Sequence, residues 1–196
     1  MPSDEELMVK VKENGDERSF ELLVQKHRKS ILNFVYRFLG SREIAEDLSQ
    51  EVFLRLWASA GNYLPIAKFT TFLYTIARNL CLNALAKSRN SPPIQSFGEI
   101  NAGTPGARGG VPVQNSISDP SGSPEQDSLN KELGEKIMEA VGKLSPEHRL
   151  VFIMTEYHGL SYQEVASVIQ CPVGTVASRK NTAVRQLRKR LAPLRG

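Results

Sequence analysis

The chain is poor in the residues on which most enzymes and extracellular scaffolds depend. Among 196 residues there are two cysteines, Cys81 and Cys171, three histidines and one tryptophan. Two thiols so far apart in sequence cannot build a disulfide framework or a metal knuckle, so they are expected to be reduced and structural. His27, His148 and His158 stand in separate segments, with no acid or nucleophile at a motif spacing. No glycine loop of the phosphate-cradling kind is present, nor a nucleophile elbow, which leaves no basis for catalysis, a metal or a cofactor. No uncharged apolar run approaches the roughly 18 residues needed for a spanning helix. The start "MPSDEELMVKVKENGDERSF" also lacks the cationic head and apolar run of a signal peptide. These absences lead us to expect a soluble, cytoplasmic protein with no membrane insertion.

Carboxylates are missing in a more informative way. None occurs between Glu51 and Glu99, while Arg55, Lys68, Arg78, Lys87 and Arg89 do. From Pro172 onward there are seven Lys and Arg residues and no acid. With a net charge of +4 and a pI near 9.1, such one-sided segments point to a polyanionic partner, because cations on phosphate release counterions.

A third scarcity marks a boundary. Residues 91–124 hold only three charges, Glu99, Arg108 and Asp119, but six of the 14 glycines and six of the 11 prolines. A segment of this composition has too little apolar surface to offset its ordering entropy and reads as a flexible linker. Apolar residues on both sides follow helical periods and no stretch alternates like a strand. The expected fold is therefore all-α, with two small helical domains (1–90 and 129–196) joined by a Gly/Pro/Ser-rich linker (91–128).

In the first block, Phe20, Leu23, His27, Ile31, Phe34 and Phe38 form one stripe that ends at Gly40. Ser41 caps a second helix, whose expected buried stripe is Ile44, Leu48, Val52 and Leu56. After the loop "GNYLPIAK" a third helix should bury Phe72, Ile76, Leu80 and Ala84. Glu43, Glu46, Asp47, Gln50 and Glu51 make an acidic face on the second helix. This face is either solvated or a docking surface for a basic partner. A carboxylate metal site there lacks the Glu-x-x-His pair that helical bundles use.

In the second block, Ser145 and Pro146 open a helix, and "SYQEVASVI" and "VGTVASRKNTAVRQLRKRL" follow with a tight turn between them. This is the pattern of a helix-turn-helix over 161–180. Val165, Ala166, Ile169 and Val176 form the wedge between its helices. Thr175, Ser178 and Arg179 lie near the start of the second helix, where base edges are reached. Gln170 occupies the turn position that usually carries glycine, at a cost of about 1 kcal/mol if left-handed.

Taken in order, "AEDLSQEVFLRLW", "FTTFLYTIARN" and "LSPEHRLVFIMTEYHGLSYQEVASVIQCPVGTVASR" resemble the extracytoplasmic-function (ECF) sigma factors of bacterial RNA polymerase. The resemblance implies that the acidic face, through Asp47, Gln50, Glu51 and Leu54, docks on core RNA polymerase. It further implies that the loop and third helix read and melt the −10 promoter element as single-stranded DNA, with Asn62, Lys68, Arg78, Asn79, Asn83 and Lys87 as contacts. The helix-turn-helix would read the −35 element as duplex through Val173, Thr175, Ser178, Arg179, Lys180 and Arg185. The linker leaves room for an anti-sigma factor that clamps the two halves together.

The sequence departs from the family's pattern in three places. Phe72 stands where tryptophan is usual, and Ala177 where a base is usual. Lys180-Asn181-Thr182 follows Arg179 where a hydrophobic residue and then an Arg-Ala pair are expected. The competing reading is a stand-alone helix-turn-helix transcriptional regulator, which would need an α/β receiver in place of the helical first block.

Overall fold

The computed structural model describes residues 2–90 and 124–192, with side chains over 2–88 and 132–192. Most of the expected linker, 91–123, lies outside the described residues. Every regular element among the described residues is helical.

A first helix, α1 (Asp4–Asn14), was not anticipated from the sequence. It is nucleated by a capping box in which the Ser3 hydroxyl accepts from Glu6 N–H and the Glu6 carboxylate accepts from Ser3 N–H. Gly15, with φ +60°, ends it in the left-handed conformation. Then comes α2 (Glu17–Leu39), with the expected stripe: Leu23, His27, Ile31, Phe34 and Phe38 are all buried. Asp4 at the start of α1 holds buried His27 at 2.9 Å and Lys26 at 2.7 Å, which fixes α1 across α2.

Helix α3 (Arg42–Ala58) starts at Ser41, whose hydroxyl accepts from Ile44 N–H. Its buried face keeps Val52 and Leu56 of the expected stripe but is turned away from Ile44. Ala45, Ser49, Val52, Phe53 and Leu56 point inward, Leu48 is half-buried and Ile44 is 46% exposed. Helix α4 (Phe69–Asn90) is shifted in the same sense. Phe69, Leu73, Ala77, Leu80 and Cys81 form its buried stripe, with Phe72, Ile76 and Ala84 half-buried beside it. Both helices carry apolar residues on more than one side, so a period alone does not choose the face that meets α2.

In the second half, α5 (Pro124–Gly142) begins four residues before Ser128, the expected helix start, and takes the end of the expected linker into a helix. Proline fits a first helical position because its fixed φ suits the turn and its missing N–H has no partner there. Helix α6 (Pro146–Glu156) has Ser145 at its cap position, but that hydroxyl pairs with His148 Nδ1 and not with the helix backbone. Helices α7 (Tyr162–Ile169) and α8 (Val173–Leu191) match the expected bounds.

The two halves pack on one another. The C-terminal part of α2 meets α5 and α6, and α4 meets α7, so one continuous apolar core runs through both.

Candidate nucleic-acid interface and docking face

Because Ala45, Ser49, Val52 and Leu56 turn inward, the opposite side of α3 presents Asp47, Gln50 and Leu54, three and four residues apart. Leu54 is 66% exposed and the exposed Trp57 lies one turn on, its ring edge-on to Phe20 at 4.9 Å. Exposed apolar side chains set among acidic and polar ones have the anatomy of a docking surface. Glu51 sits at the margin of this face and pairs with Arg55 at 2.7 Å.

After α3, a short 3₁₀ turn (Ala60–Asn62) leads into the loop. Asn62 is exposed, and so is the apolar tip formed by Leu64 and Ile66. Tyr63 turns inward instead, against Phe69 and Phe72. Helix α1 sets the two ends of this loop: Lys12 Nζ donates to the Tyr63 carbonyl at 2.7 Å, and Glu5 accepts from Phe69 N–H at 2.8 Å. Glu5 thus satisfies an otherwise orphaned donor at the start of α4. Asn79, Asn83 and Lys87 lie on one exposed line of α4, while Arg78 is half-buried beside it and donates to Asn79 at 3.2 Å. Lys68 stands at the entry to α4 and is held by Glu164 of α7 at 2.8 Å.

The helix-turn-helix is built as its pattern requires. Ser161 and Glu164 close a capping box on α7. Val165, Ile169 and Val176 are buried, as is Ala166 where the helices approach. Gln170 adopts φ 55° and ψ 53°, and its N–H donates to the Ala166 carbonyl, so it does what glycine usually does there. Val173, Ser178 and Arg185 are exposed and Thr175 is half-buried. The Arg179 guanidinium lies 2.6 Å from Glu147 of α6.

Lys180 does not join that surface. It is 8% exposed, its ammonium pairs with Glu156 and donates to Thr155 Oγ1 at 2.8 Å, and the Phe152 ring lies 5.7 Å away. The sequence reading placed it among the DNA contacts, but its position on α8 faces the core between α6 and α8.

The seam between the halves depends on residues that no local motif singles out. Arg149 of α6 donates to the Phe38 carbonyl at 2.7 Å, and to the carbonyls of Leu144, at 3.2 Å, and Gly142. It thereby satisfies carbonyls near the ends of α2 and α5 at once. The Arg37 guanidinium lies 3.7 Å over the Tyr157 ring. His158 Nδ1 meets the Tyr74 hydroxyl at 2.8 Å, and burial together with the Arg37 charge pushes its pKa down to about 4. Lys68 and the Ser161 donors draw the Glu164 carboxyl down to about 2. Burial also lifts the Cys81 thiol to about 12, which keeps it protonated and unreactive. Among the described residues, no cluster of His, Cys, Asp and Glu could hold a metal ion, and no helix is long and apolar enough to cross a membrane.

Comparison with known proteins matches this architecture in both halves. The family Sigma-70 region 2 matches residues 23–91, and Sigma-70, region 4 matches residues 134–187. The RNA polymerase sigma-H factor of Pseudomonas aeruginosa is 34% identical over 97% of this chain and 95% of its own length. The ECF RNA polymerase sigma-E factor of Escherichia coli is 29% identical over the same shares. In fold, the chain resembles CnrH, solved in complex with the cytosolic domain of CnrY, with a TM-score of 0.70, 20% identity and 98% and 99% of the two chains covered. It also resembles the sigma factor RpoE of Bartonella quintana, solved with the anti-sigma factor NepR, with a TM-score of 0.64, 22% identity and 89% and 98% covered. The chain belongs to the sigma-70 family, in its ECF group. It is a transcription initiation factor that directs RNA polymerase to promoters, and the stand-alone regulator is not favoured.

Proposed function

We propose that the labour of initiation is divided among faces already separated by charge. The outer side of α3, through Asp47, Gln50, Glu51 and Leu54, docks on core RNA polymerase. The loop and the outer line of α4, through Asn62, Lys68, Arg78, Asn79, Asn83 and Lys87, bind the −10 element as a single strand. The turn and outer side of α8, through Val173, Thr175, Ser178, Arg179 and Arg185, bind the −35 element as duplex. Residues 1–90 are then the docking and −10 half, residues 129–196 the −35 half, and the protein works in the cytoplasm. An anti-sigma factor that holds the halves together is compatible with this division.

One observation carries the reading. The carboxylates of the region sit on the α3 face, whereas 52–98 and everything beyond Pro172 contain none. Phosphate would be repelled from the first surface and drawn to the other two. The pairing of Arg179 with Glu147 does not compete seriously with DNA, because Glu147 is largely exposed and such pairs contribute only about 0–1 kcal/mol.

Run-off transcription with core enzyme and this chain tests the proposal, and transcription that shows no promoter dependence would overturn it. Asp47→Ala should weaken core binding and leave promoter preference unchanged. Asn79→Ala should impair −10 recognition or melting, and Arg179→Ala should weaken −35 dependence, each by roughly 1–3 kcal/mol at most. If Asp47→Ala changed sequence preference and left core affinity intact, the faces would be wrongly assigned.

A further inference from the structure

A cavity of about 220 Å³ opens at the seam, between α2 and the turn that follows α6. Its walls are almost entirely hydrogen-bond donors: Lys26, Lys29, Asn33 and Arg37 on successive turns of α2, and Tyr157 and His158 from the turn. No carboxylate lines it. The charge of Lys26 is met by Asp4 at 2.7 Å. Lys29 has no ion-pair partner among the described residues. Arg37 stacks on Tyr157 and donates to Met138 Sδ at 3.6 Å, so neither of its neighbours is an anion. Two positive charges therefore face the cavity uncompensated.

His158 stands at the wall of the cavity. Its Nε2 is buried without a partner, while Nδ1 meets the Tyr74 hydroxyl. Burial keeps the Tyr74 phenol protonated, and that proton has no other acceptor than Nδ1. The tautomer that satisfies both groups therefore places the imidazole proton on Nε2, on a residue that lines the cavity. Nε2 itself is sealed from solvent, so His158 serves as a wall of the cavity and a reporter of what enters it.

We propose that this cavity binds a small phosphate-bearing anion. Two uncompensated cations suit a dianion, and the spread of donors over an ammonium, a guanidinium and an amide suits a group with several oxygens. The volume admits a phosphate group but not a duplex backbone. Because α2 belongs to one half and His158 to the other, the ligand touches both and stabilises the closed arrangement by linkage.

The test is a titration of the full chain with inorganic phosphate at fixed ionic strength, with chloride as the control, read on the ring resonances of its three histidines. The expected result is a saturable shift centred on His158, about tenfold weaker in affinity for Lys29→Ala and restored by Lys29→Arg. Lys29 is exposed, so its loss is expected to leave the fold intact. A parallel titration with a nucleoside triphosphate distinguishes the source: tighter binding than inorganic phosphate assigns the site to a nucleotide, and weaker binding assigns it to the free ion. The proposal is overturned by shifts that follow ionic strength without saturating, by shifts centred on His27 or His148, or by an unchanged affinity in Lys29→Ala. Displacement of phosphate by an acidic peptide or a single-stranded oligonucleotide at lower concentration would also overturn it.

Discussion

At the scale of single residues, Lys180 and Gln170 carry the two departures that matter most. Lys180 stands where the resemblance expects a hydrophobic side chain, and the fold treats the position as core. Its stem packs while Glu156, Thr155 and Phe152 receive its head. A pair of a buried ammonium with a half-exposed carboxylate gives little net stability over an apolar residue of similar volume. Lys180→Met should therefore change stability by less than about 1 kcal/mol, whereas Glu156→Ala should cost about 1–3 kcal/mol by leaving the ammonium underpaired. Urea unfolding of both variants checks this. The same Lys180→Met should leave the salt dependence of duplex binding unchanged, where loss of a true phosphate contact lowers the slope by about one. Gln170 bears a left-handed backbone that costs a side chain roughly 1–2 kcal/mol, against about 0.5–1 kcal/mol of extra chain entropy for glycine. Gln170→Gly should accordingly raise the urea midpoint, by an amount equivalent to about 0.5–1 kcal/mol.

At the scale of elements, the informative features are the phase of α3 and α4 and the placement of α1. The face of α3 can be read directly by substitution. Ile44→Lys should fall within about 0.5 kcal/mol of the parent, while Ala45→Lys should cost several kcal/mol by burying an unpaired charge. Chemical denaturation of the pair separates the two phases, and equal costs would contradict the structure. The bounds and order of α2, α3, α4, α7 and α8, and the caps at Gly40 and Ser41, were legible because Ser, Gly and periodic apolar residues act locally. The rotation of α3 was not legible, because Ile44 and Leu54 are as apolar as Val52 and Leu56. Only the docking of α2 selects which of them lose water. Helix α1 had a signal in Ser3-x-x-Glu6, but its role in fixing the loop through Glu5 and Lys12 spans more than fifty residues of sequence.

At the scale of the whole molecule, the chain is closed on itself, with Lys68 on Glu164 and Tyr74 on His158 across the seam. Acid should open it. His158 is depressed to about 4 from 6.5, so the separated or unfolded form binds its proton first, and the stability it confers is present above pH 6.5 and lost as pH falls toward 4. Glu164 is depressed to about 2 from 4.5, so its contribution is present above pH 4.5 and lost as pH falls toward 2. Both act in one direction. Distance measurements between labels on α3 and α8 should show the halves separating between pH 6.5 and 4, and His158→Phe should remove that part of the transition. Separation that begins only below pH 4 would assign the control to Glu164 alone.

Helicity, the helix-turn-helix and the two acid-free segments were all determined by sequence alone, since each rests on neighbours a few positions apart. Exposure of Asp47, Gln50, Asn79 and Asn83 was legible for the same reason, because exposure on a helix is set by what lies three and four residues away. Tertiary structure decided the rest. It determined which stripe of α3 and α4 is core, withdrew Lys180 from the surface, and brought Arg149, Tyr157 and His158 of one half against Phe38, Arg37 and Tyr74 of the other. Those pairings join groups separated by the whole linker, and no local period or cap records them.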